Sequence, residues 1–82
     1  MLWVQVDPDT VLKAAERIVD KAGGGPALFK VPGSGFSVSI YRAYEDGEIR
    51  ITWSLGSVMN MFNPASRMMP ESVYKEVMRR CQ

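Results

Sequence analysis

At 82 residues the chain has room for one domain, spanning residues 1–82, and its 46% hydrophobic and 23% charged content is that of a folded globular protein. Ten Lys and Arg against nine Asp and Glu leave a net charge of +1, so no overall field draws the chain onto nucleic acid or an anionic membrane. The absence of histidine removes the commonest general base and metal ligand, and a lone cysteine, Cys81, argues against a disulfide framework or a cysteine zinc site.

Leu2, Val4 and Val6 alternate with Trp3 and Gln5, which predicts a short first strand. Asp7-Pro8-Asp9 opens a helix: Asp7 is placed to cap free amides, Pro8 suits the first helical position, and Asp9 faces the positive end of the dipole. Val11, Ala15, Ile18 and Ala22 then recur on one stripe, with Leu12 and Val19 beside it. Gly23-Gly24-Gly25-Pro26 ends that helix.

Ala27 to Val31 is a strand, Pro32 to Gly35 a turn, and the alternation from Phe36 through Val38 and Ile40 begins a longer strand. Asp46-Gly47 lies between two alternating runs, where a type I′ turn needs positive φ at both central residues. That turn fixes a register: Tyr44 opposite Ile49, Arg42 opposite Ile51, Ile40 opposite Trp53 and Val38 opposite Leu55, all on a core face. Ala43 against Arg50, Tyr41 against Thr52 and Ser39 against Ser54 make a small, polar face. A last helix starts at Pro70, with Val73, Val77 and Cys81 on one stripe and favourable pairs Glu71–Lys75 and Glu76–Arg80. The expected fold is α+β, in the order β-α-β-β-β-α, with both helices packed on one face of a small antiparallel sheet.

No apolar run approaches the roughly 18 residues of a membrane span. The start, MLWVQVDPD, lacks the basic and long apolar regions of a secretory signal, so a soluble, cytoplasmic protein is expected.

Catalysis finds no footing. Asp7 and Asp9 serve a helix start, and Glu45, Asp46 and Glu48 surround a hairpin turn, the opposite of a desolvated cleft. Serines and threonines lack an activating base. Gly23-Gly24-Gly25 follows a helix where a phosphate loop would precede one, and Gly33-Ser34-Gly35 joins two strands. No enzyme activity, cofactor or metal is expected.

From Pro8 onward the order α-β-β-β-α resembles that of double-stranded-RNA-binding domains, in element order and length alone. The resemblance implies phosphate contacts from lysines at the start of the last helix; here that position reads MMPESVYK, with Glu71 where a base is wanted. Nucleic-acid binding of modest affinity, through the polar sheet face and a basic patch of Arg50, Arg79 and Arg80, is therefore the alternative reading.

Residues 57–70, SVMNMFNPASRMMP, hold four of the six methionines. Thioether side chains fill gaps in a core, and for the same reason they repack against partners at adaptable binding surfaces. Asn63-Pro64 interrupts any helix there, which predicts two short turns around a bend. Since the stripes and the sheet face already fill a small interior, Met59, Met61, Phe62, Arg67, Met68 and Met69 are the candidate protein-binding residues, with a lid over the core as the other reading of the same segment. Tyr41, Arg42 and Tyr44 form a second candidate patch, of hot-spot composition. The expected function is a non-enzymatic module that binds a protein partner, such as a subunit of a large complex. It would act as a small phage- or mobile-element-type inhibitor, anti-CRISPR-like, by sterically blocking a surface. A homo-oligomeric structural subunit is the second alternative.

Overall fold

The computed structural model describes residues 2–55 and 67–82, the last three of the fourth strand by their backbone alone. Seven elements follow in chain order: β1 (Trp3–Gln5), α1 (Pro8–Lys21), β2 (Ala27–Lys30), β3 (Ser37–Glu45), β4 (Glu48–Leu55), β5 (Met68–Pro70) and α2 (Glu71–Arg80). No helix among the described residues is long and apolar enough to cross a membrane.

Helix α1 is bounded by signals at both ends. The Asp7 carboxylate accepts from the Thr10 amide at 3.3 Å and from the Thr10 hydroxyl at 2.7 Å, with Pro8 in the first turn. At the other end Gly23 N–H donates to the Asp20 carbonyl at 3.0 Å and Gly24 N–H to that of Val19 at 2.9 Å. This paired closure requires a left-handed residue, which Gly23 supplies at φ +79°. Between these ends Val11, Ala14, Ala15, Ile18 and Val19 are buried.

Strands β2, β3 and β4 form a three-stranded antiparallel sheet in that order. Asp46 and Gly47 both have positive φ, +50° and +80°, so the turn is the mirror-image type that the right-handed strand twist favours. Every predicted β3–β4 pair is present, from Val38 opposite Leu55 to Tyr44 opposite Ile49. β2 pairs only with Ser37 to Ile40, so beyond Ile40 the β3–β4 hairpin continues as a two-stranded ribbon.

The core gathers α1 with Val31, Phe36, Val38 and Ile40 and with Val73, Val77 and Cys81 of the α2 region. Ile40, Val11, Val19 and Val77 are among its largest fully buried side chains. Ile49, expected in this core from its place in the alternation, is instead 69% exposed, because the ribbon carries it past the core.

A fifth strand was not anticipated. Met68–Pro70 pairs antiparallel with β1 in a separate two-stranded sheet, matching Trp3 with Pro70, Val4 with Met69 and Gln5 with Met68. The expected bend is thus a strand at its C-terminal end, while the rest of that expectation lies outside the described residues. Pro70 is the N-cap rather than the first turn of α2, and offers no side-chain cap. One of the free amides at that end is satisfied by sheet pairing instead: Glu71 N–H donates to the Leu2 carbonyl at 2.9 Å. At the opposite end of α2, Lys21 Nζ donates to the backbone oxygens of Arg80, at 3.3 Å, and of Gln82, tying the C-terminal ends of the two helices together.

Candidate protein-binding surfaces

The β1–β5 sheet divides its side chains between core and surface. Because side chains alternate along a strand, pairing Val4 with Met69 sends both to one face and leaves Trp3, Gln5 and Met68 on the other. Met69 is 2% exposed and packs in the core, with Val6 against the same cluster. Met69 is therefore no surface residue, which corrects its place among the candidate binding residues: the interior had room for one long, unbranched side chain beneath the two-stranded sheet. Met68 lies on the outward face at 40% exposure, with Trp3 at 45%, and Leu2, just before β1, is 65% exposed. Arg67 is exposed next to them, its carbonyl accepting from Val6 N–H at 2.8 Å. Met59, Met61 and Phe62 lie outside the described residues. The outward place of Trp3 follows from the alternation of β1, whose odd positions face away from the core, whereas Leu2 shares the parity of Val4 and its exposure does not follow from that alternation.

The second candidate patch resolves differently. Tyr44 and Ile49 stand opposite each other at the hairpin end, 78% and 69% exposed. Arg42 shares their face but is engaged: its guanidinium pairs with Asp20 at 2.5 Å and donates to the Gly24 carbonyl at 3.4 Å. Tyr41 points to the opposite face and is half-buried. Tyr41, Arg42 and Tyr44 thus do not form one patch, and the apolar partner of Tyr44 is Ile49.

The charged groups are largely used within the fold. Glu76, 6% exposed, accepts from Arg79 at 2.8 and 2.9 Å and lies 3.6 Å from Arg80. The hydrogen bonds from Arg79 hold its carboxyl below the usual range and raise Arg79 in turn. Thr10's hydroxyl does the same for Asp7, with smaller contributions from backbone amides and from the charge of Arg67. Arg80 also sits over the Phe29 ring, 4.3 Å from its centroid, and Arg50 pairs with Glu48 at 3.3 Å.

Shallow grooves are present among the described residues. One, of about 430 Å³, is lined by Leu2, Phe36, Glu71 and Lys75, where Glu71 and Lys75 pair at 2.9 Å. Another, of about 380 Å³, runs past Leu28, Phe29, Lys21 and Arg80. Neither brings together the nucleophile, base and oxyanion donors that a reaction needs. No group of three or more His, Cys, Asp or Glu among the described residues is arranged to hold a metal. No protein-family model, no curated protein and no solved structure matches the chain.

Proposed function

We propose that the chain is a non-enzymatic protein-binding module that acts by covering a surface on a larger protein or nucleoprotein complex. A small steric inhibitor, of the kind carried by phages and mobile elements and anti-CRISPR-like in that sense, is the form of the idea that fits a single small domain. The observation that carries it is the outward face of the β1–β5 sheet, where Trp3 and Met68 are exposed beside Leu2 and Arg67. Trp and Arg dominate binding energy at interfaces, and Met adapts its shape to a partner. The nucleic-acid alternative has less support, since Arg50, Arg79 and Arg80 each pair with a carboxylate of the chain itself.

The test is capture from native cell lysate by the tagged protein, with and without nuclease, beside an Arg67→Glu/Met68→Asp variant. Both positions are exposed, so the variant keeps its fold, as a thermal melt verifies. The proposal expects a stoichiometric protein that survives nuclease and is lost from the variant. Material that vanishes with nuclease, or that the variant retains, overturns it.

A further inference from the structure

Two exposed features of the hairpin end have no partner element among the described residues: the Tyr44–Ile49 pair, and the outer edge of β4. In an antiparallel hairpin closed by a two-residue turn, Glu45 and Glu48 exchange backbone bonds, and so does every second pair behind them. Ile49 and Ile51 therefore direct their amides and carbonyls away from β3. β4 is an edge strand, and no strand among the described residues pairs with that side. The edge of β3 is different, since Arg42 there is tied to Asp20 and Gly24.

We propose that β4 pairs antiparallel with β4 of a second copy of this chain, across a two-fold axis at Ile49. Charge selects this register. Centred on Ile49, Glu48 of each copy stands opposite Arg50 of the other, which gives two complementary cross-strand pairs on one face. A two-fold at Arg50 sets the two arginines directly opposite each other and is disfavoured. A two-fold at Ile51 places Arg50 opposite Thr52 and Glu48 opposite Ser54, and no charge finds a partner across the interface. On the other face the Ile49-centred register builds a continuous row of Tyr44, Ile49 and their two counterparts, so that each Ile49, 69% exposed in the single chain, gains an apolar neighbour. Unpaired edge amides, apolar side chains and opposite charges are satisfied by one contact, and the interface is isologous, as a closed dimer requires. The overlap is short, so the dimer is weak and concentration-dependent. It leaves Trp3 and Met68 uncovered and presents that surface twice, which raises avidity for any repeated target.

The test is a charge-swap mixture followed by sedimentation velocity over a wide range of full-chain concentrations. Wild type is expected to move from monomer to dimer. Glu48→Arg places Arg against Arg at both contacts, and Arg50→Glu places Glu against Glu, so each variant alone dimerises at least roughly tenfold more weakly. An equimolar mixture of the two restores both opposite-charge pairs in a heterodimer and recovers near-wild-type association. Loss of folding or of the internal Glu48–Arg50 pair cannot produce that recovery. A wild type that stays monomeric throughout overturns the proposal, and so does a dimer that the single variants leave intact or a mixture that stays monomeric.

Discussion

Arg42 on β3 and Asp20 near the end of α1 are joined by an ion pair across 22 residues of sequence, and the same guanidinium reaches the carbonyl of Gly24 just past the helix. The side chains are 35% and 60% exposed, so solvent screens the pair. A double-mutant cycle of Arg42→Met with Asp20→Asn, followed by urea denaturation, is expected to give a coupling of about 0.2–1 kcal/mol.

Gly24 makes the same junction sensitive in a second way. Its φ is +85°, and a Cβ there would lie 3.1 Å from Arg42 Nη1. Gly24→Ala therefore strains the backbone and crowds the guanidinium, with an expected loss of about 1–2 kcal/mol in urea unfolding, more than the ion pair alone contributes.

The adjacent methionines of β5 should respond oppositely to truncation. Met69→Ala empties a core position that is 2% exposed and is expected to cost about 2–5 kcal/mol. Met68→Ala removes a side chain on the outward face and should shift the denaturation midpoint by about 0.5 kcal/mol or less. Equal losses at the two positions would contradict the strand pairing of β1 with β5.

Stability should fall with acid through Asp7 and Glu76. Both carboxyls titrate lower in the folded chain than in the unfolded one, so their charged forms favour folding. That contribution is complete above the ordinary carboxylate range and is lost as pH falls through the lowered folded values. Thermal melts should show a plateau near neutrality and a decline on the acid side. Glu76→Gln should lower the plateau, where the Arg79 interaction is lost, and make the acid decline shallower.

The parts legible in the sequence are those set by neighbouring residues. Asp7, Pro8 and the glycines after Lys21 bound α1, and Asp46-Gly47 alone determined eight β3–β4 pairs. The Glu71–Lys75 and Glu76–Arg80 pairs follow from helical spacing, although Arg79 proved the nearer partner of Glu76. β5 was hidden because three residues, two of them methionine and the third proline, carry no strand periodicity of their own. Its existence depends on β1, more than sixty residues earlier. The candidate surface was half visible for the same reason. The unusual composition around Met68 drew notice, whereas the separation of Met68 from Met69 and the place of Trp3 beside Met68 come from a pairing that no local pattern encodes.

The pairing of β1 with β5 also sets a timetable for synthesis. The cross-strand partner of Trp3, Pro70, is 67 positions later. At about 5–20 residues per second, the first strand waits roughly 3–13 s on the ribosome before its mate has been made. During that interval α1, whose contacts are local, can already form. The strand that presents Trp3 is thus made well before the strand that holds it in place.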